Sequence, residues 1–213
     1  MRFLITGFAP FGGSQINPSY EAARLLPDTL GRHEIFRERI PVEYGKCTEA
    51  LIGAIEKYRP DCVLCLGQAA GRDVISLENT AVNVRASAMP DNAGVICEND
   101  TVEAGAPESL SPNLPLKEML SALKEIGIPA KISYSAGTYV CNDLFYSLLR
   151  YIGKERPRLL GGFIHIPATD AQAADFPAGT PTMPLSEAVR AIGTVIAVIG
   201  ESYKGTDTID GLK

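Results

Sequence analysis

"FLITGFAPFGGSQINPSYEAARLLP", Phe3 to Pro27, decides how the rest of the chain is read. "FLITGF" is apolar with no charged position, the pattern of a buried strand rather than of a surface one. A glycine-bearing turn follows. Asn17 then stands where a helix needs a capping oxygen, and Pro18 where the first helical residue needs no N–H. Strand, turn and capped helix in that order open an α/β domain.

The alternation continues down the chain. "FRERIPV" (36–42) reads as a partly exposed strand, and Ala50, Leu51, Ala54, Ile55 and Tyr58 recur at helical spacing. "DCVLCLG" (61–67) is a short apolar strand with Gly67 at its end, and "VISLENTAVNV" (74–84) alternates as extended chain does. Residues 86–115 break the pattern. Pro90, Gly94, Gly105, Pro107, Pro112 and Pro115 punctuate a long loop. Helix (116–126), strand (130–134), helix after Cys141, strand "LLGGFIHIP" (159–167) and a last helix (184–203) complete the series. The expected fold is α/β: a single-domain three-layer sandwich over 1–204, with a mostly parallel, twisted mixed sheet flanked by helices. Residues 205–213 read as a disordered tail.

Composition narrows the function. The 213 residues are 46% hydrophobic and 21% charged, ordinary for a globular chain with a real core. A net charge of −5 argues against a broad basic surface for nucleic acid. No apolar run approaches the roughly 20 residues that cross a bilayer. The N-terminus lacks the apolar core and cleavage site of a signal peptide, so a cytoplasmic protein is expected. Five cysteines and no secretory signal speak against a disulfide framework. With two histidines and no ligand spacing among them, no metal site and no cofactor are expected.

Three residues carry candidate chemistry. Cys141 enters an apolar helical stripe of Leu144, Phe145, Leu148, Leu149 and Ile152. That places the thiol in the first turn, where free N–H groups and the helix dipole favour an anion and a lowered pKa; the plain alternative is a buried structural cysteine. His165 closes an apolar strand, at the end where ligands of parallel sheets sit; otherwise it is a strand-end histidine with one backbone partner. Glu78 lies in an apolar strand, and a buried carboxylate needs a partner such as a histidine; the alternative is an exposed strand face. His33, between Arg32 and Glu34, reads as solvated surface. Cys62 and Cys65 face opposite sides of their strand and make no redox pair. Phe8 and Phe11 flank Pro10 as core filler or as walls of an apolar pocket.

Four stretches, "TGFAPFGGSQINPS", "CLGQAAGRDVISLENTAVN", "SAGTYVCNDLFY" and "GFIHIP", together resemble the pyroglutamyl peptidase I family, over about Arg2 to Tyr203. The resemblance implies a cysteine peptidase that removes N-terminal pyroglutamyl residues through a thioester acyl-enzyme. It assigns Cys141 as nucleophile, His165 as base and Glu78 as the group that orients it. It implies substrate contacts at Phe8, Phe11, Asn17 and Gln68, suited to a neutral lactam that needs apolar walls and partners for one N–H and one C=O. It implies no metal, peptide substrates as partners, no nucleic acid or membrane, and a homo-oligomer, commonly a tetramer. One departure stands out. Many members carry an arginine just before "IPDN", whereas "VRASAMPDN" has Ala88 and Met89 there, and Arg85 falls at an odd offset, on the opposite strand face. The competing expectation is a nucleoside phosphorylase-like enzyme binding phosphate and nucleoside. A non-catalytic binding protein of the same fold is a third.

Overall fold

The computed structural model describes residues 1–207. Among the described residues there are thirteen strands and five α-helices. They are β1 Arg2–Phe8, α1 Pro18–Leu25, β2 Thr29–Leu30, β3 His33–Ile40, α2 Lys46–Tyr58, β4 Cys62–Gln68, β5 Ile75–Glu78, β6 Ala81–Val82, β7 Arg85–Ser87, β8 Cys97–Asp100 and β9 Ser109–Leu110. There follow α3 Leu116–Glu125, β10 Ala130–Ser133, α4 Val140–Glu155, β11 Leu160–Ile166, β12 Ala168–Thr169, β13 Thr182–Met183 and α5 Leu185–Asp207. The expected tail therefore starts inside α5, and its remainder, 208–213, lies outside the described residues.

Seven strands form one mixed sheet in the order β10-β5-β11-β4-β1-β3-β2. β11, β4, β1 and β3 run parallel, while β5 and β10 run together against β11. Period-2 alternation divides β1 between two cores. Phe3 and Ile5 join Leu64, Leu77 and Ile164 under α1, α3 and α5. Leu4 and Phe8 join Val63, Cys65 and Phe163 under α2 and α4. The inner part of the sheet is covered on both faces, which is why β1, β4 and β11 read as nearly continuous apolar runs. Cys62 and Cys65 fall in opposite cores, as their spacing predicts.

The opening βα unit folds as its residues dictate. Asn17 Oδ1 accepts from Ser19 N at 3.1 Å and from Ser19 Oγ at 2.8 Å, and Pro18 is the first helical residue. Ser19 Oγ in turn accepts from Phe8 N at 2.9 Å, stitching α1 to the end of β1. The two elements touch backbone to backbone at Gly7, where any Cβ would collide with Ser19 and Tyr20.

Two expectations are corrected. His33 is not solvated: it opens β3, is 7% exposed, stands edge-on to Phe3 and meets the N-terminal amine through Nδ1 at 3.3 Å. Burial and that ammonium lower its pKa. Flanking charges misled because β3 pairs with β1 and β2 on both sides, which puts its first residue under α5. The segment 86–115, expected as one long loop, also carries short strands. β7 pairs with β8 and β6 with β9, all antiparallel. Asp91 drives one turn, accepting from Ala93 N, Val95 N and Tyr44 N at 2.8–3.0 Å. Ladders of two to four residues are too short to show a period.

Candidate active site

The sheet delivers the site. At the ends of β1, β4 and β11, beside the N-terminus of α4, lies a cavity of about 600 Å³. Phe8, Phe11, Asn17, Gln68, Cys141 and His165 line it. Glu78 stands behind His165. Because β5 runs against β11 with Glu78 opposite Phe163 and Ser76 opposite His165, Glu78 and His165 share a face as diagonal neighbours.

His165 Nδ1 and Glu78 Oε1 are 2.7 Å apart, with Glu78 fully buried and His165 nearly so. A charged carboxylate accepts from Nδ1–H, which leaves Nε2 as the basic nitrogen. Arg72 was not singled out from the sequence, yet its Nη1 donates to the same Oε1 at 2.6 Å and its Nη2 to Ser135 O at 2.9 Å. Burial works against the charge on Glu78. Hydrogen bonds from His165, first, and from Ser133 and Arg72 win and hold the carboxyl below its ordinary range. The Ser133 hydroxyl nonetheless spends its own bond on Ser135 O, and Oε2 is left without a partner. For His165 burial wins over the pull of Glu78, and its pKa is lowered.

Cys141 is the second residue of α4, after Tyr139, which caps through its backbone alone. The sulfur packs 3.0 Å from where a Cβ on Gly67 would sit, a position that the Phe163 ring also crowds. The expectation of a lowered thiol pKa is overturned. Burial and the facing Glu78 carboxylate push the thiol up to about 12, outweighing Arg72 and its own backbone N–H. Both shifts favour a neutral thiol beside a neutral imidazole, and the structure records no hydrogen bond between them.

The first turn of α4 is anchored from below. Asp143, fully buried, accepts from Arg85 Nε at 2.8 Å and from Gly45 N at 3.0 Å. Arg85 thus points away from the cavity, and Met89 lines it instead. Asn17 commits both amide ends to the fold, with Nδ2 donating to Ala9 O at 3.0 Å. Gln68 Nε2 reaches Gln172 Oε1 at 3.3 Å. Gln172 is fully buried in the 3-10 turn Asp170–Asp175, as the N3 residue of a capping box on Thr169. That T-x-x-Q pattern was the signal for it. Phe8 packs on Phe163 at 6.5 Å between centroids, and Phe11 faces Tyr139 at 6.2 Å. Among the described residues, no three His, Cys, Asp or Glu side chains are grouped to hold a metal ion, and no helix is long and apolar enough to cross a membrane.

A thiol at a helix start, an imidazole within the same cavity and a buried carboxylate on the far nitrogen form the layout of a thiol hydrolase. The family profile for pyroglutamyl peptidase matches residues 1–202, and the chain belongs to that family. The pyrrolidone-carboxylate peptidase of Thermococcus onnurineus is 43% identical over 196 residues, 92% of this chain and 97% of the relative. That of Erwinia tasmaniensis is 41% identical over 198 residues, 92% of each. The crystal structure of pyroglutamyl peptidase I from Bacillus amyloliquefaciens superposes with a TM-score of 0.90 at 38% identity, covering 93% of this chain and 94% of that one. The pyrrolidone carboxyl peptidase of Thermococcus litoralis gives 0.91 at 34% identity, covering 96% of each. The family decides for the peptidase reading over the nucleoside phosphorylase-like one.

Proposed function

We propose that this chain is a pyroglutamyl-peptidase I that removes the N-terminal pyroglutamyl residue of peptides, with Cys141 as nucleophile, His165 as base and Glu78 as orienting carboxylate. The observation that carries the assignment is the 2.7 Å contact between His165 and the fully buried Glu78, behind a cavity that His165 and Cys141 both line. A lactam has no ammonium to pair. It suits walls such as Phe8 and Phe11, with Gln68 and the one uncommitted N–H of Asn17 as polar partners.

His165 Nε2 takes the thiol proton as Sγ attacks the pyroglutamyl carbonyl, because the thiol is not ionised at rest. Backbone N–H groups at the start of α4 stabilise the oxyanion. The C–N bond then breaks, the imidazolium returns its proton to the leaving amine, and a thioester remains. Water, deprotonated by the same nitrogen, releases pyroglutamate and restores the thiol. Glu78 fixes the tautomer and stabilises the imidazolium throughout. Nucleophile, base and orienting acid are all side chains, so the reaction needs no cofactor. A cytoplasmic homotetramer of single-domain subunits, as the family resemblance implies, belongs to the same proposal.

Hydrolysis of a pyroglutamyl-fluorophore amide by wild type and Cys141→Ser tests the reading. Wild type is expected to cleave it and the serine variant to be nearly inactive, since a hydroxyl is far harder to ionise. A wild type that leaves the amide intact, or a serine variant of equal rate, overturns the assignment.

A further inference from the structure

Glu78 poses a problem that His165 alone does not solve. The carboxylate is fully buried, and one of its oxygens has no partner. A neutral imidazole offers it a single N–H. A buried charge so poorly served either takes up a proton or draws one onto its neighbour. Either outcome stops the reaction as proposed: a protonated acid cannot stabilise the imidazolium that must form, and an imidazolium already formed cannot accept the thiol proton.

The turn after β4 supplies the missing charge. Gly71, at a φ of 87°, reverses the chain, and Arg72 N bonds to Ala69 O at 3.2 Å. The guanidinium then lies against the carboxylate, its side chain only 26% exposed. One N–H meets the Glu78 oxygen that His165 uses. The other holds Ser135 O, in the turn that leads to Cys141. Two rigid prongs of one planar group thus tie the orienting acid to the segment that sets the nucleophile.

We propose that Arg72 is a positioning residue of this site, bridging Glu78 to the turn before Cys141 and supplying the positive charge that lets the carboxylate stay ionised while His165 stays neutral. The proposal rests on the peptidase reading for its role in turnover, but not for its effect on His165. The charged and titratable groups that face this corner are Arg72, Glu78 on β5, His165 on β11 and Cys141 on α4. Asp175, across the cavity, is bound to Ser14 Oγ at 3.0 Å.

The sign follows. Arg72 lowers the His165 pKa by repulsion. Removing its charge raises it, so the acid limb of kcat/KM moves to higher pH. The protein has only two histidines, so a His33→Gln background leaves His165 as the one imidazole to follow by NMR. In that background Arg72→Gln is expected to raise the His165 midpoint by about one pH unit, with the acid limb following and kcat falling while KM stays near wild type. Arg72→Lys keeps the charge and loses the fork, so the midpoint is expected to stay while kcat still falls. A midpoint and limb unmoved in Arg72→Gln overturn the proposal. Should that variant not fold, Arg72→Lys decides: unchanged kcat refutes the bridge. If no pyroglutamyl amide is cleaved at all, the peptidase reading fails while the NMR midpoint still judges Arg72.

Discussion

Gly67→Ala puts one methyl group against both the Phe163 ring and the Cys141 sulfur. A Cβ there would lie 2.8 Å from the tip of Phe163 and 3.0 Å from Cys141 Sγ, where ordinary contact begins at 3.4 Å. Phe163 cannot easily give way. Its ring is buried among Phe8, Phe145 and His165, with centroids 6.5, 5.6 and 4.8 Å off. The sulfur, at the cavity wall, moves instead. Overpacking of this kind costs about 1–3 kcal/mol of stability, or roughly 2–4 °C of melting temperature per kcal/mol for a chain of this length. With Cys141 as the proposed nucleophile the catalytic cost is larger, because misplacing a reacting atom by about 1 Å is worth roughly 100-fold in rate. Turnover of the pyroglutamyl amide is therefore expected to fall about 10- to 100-fold, with KM little changed. The second-order rate of iodoacetamide alkylation at Cys141 is expected to change alongside, since it reads the same sulfur without substrate. A variant with wild-type kcat and alkylation rate would show that Sγ does not pack against the space Gly67 leaves open, and the geometry argued above would fail.

Two further outcomes test the frame around the site. Arg85→Met strands the buried Asp143 carboxylate and is expected to cost about 3–5 kcal/mol in urea unfolding, with activity falling as the first turn of α4 loosens; a loss under about 1 kcal/mol would mean the pair anchors nothing. Gly200→Ala drives a methyl into the His33 ring beneath α5 and is expected to destabilise by about 1–3 kcal/mol, largely recovered in Gly200→Ala with His33→Ala; no recovery in the double variant would place the clash elsewhere.

Much of this was legible in the sequence, for reasons that can be named. β1, β4 and β11 are buried on both faces, so their composition alone declares them, and Asn17-Pro18 announces α1 through local capping chemistry. Cys141, His165 and Glu78 stood out because each is a reactive group in an apolar setting. What escaped depends on contacts distant in sequence. Arg72 sits in a polar turn where a charge is unremarkable, and only the return of β5 beside β11 makes it a partner of a buried acid. His33 looked solvated because its neighbours in sequence are charged, while its burial comes from α5 at the other end of the chain. The thiol pKa went the wrong way for a similar reason. The helix start is visible in sequence, but the desolvation and the opposing carboxylate that outweigh it are tertiary.

β11 comes late in the chain yet lies inside the sheet, wedged between β4 and β5, two strands that follow one another in sequence but do not pair. The sheet consequently has no finished centre until the last third of the polypeptide has arrived. A chain interrupted before Leu160 holds the thiol and the acid but lacks the keystone strand that joins its two halves and brings the ring between them. Proteolytic competence is thus tied to completion of the fold, and a partly made molecule has no working blade to turn on the peptides around it.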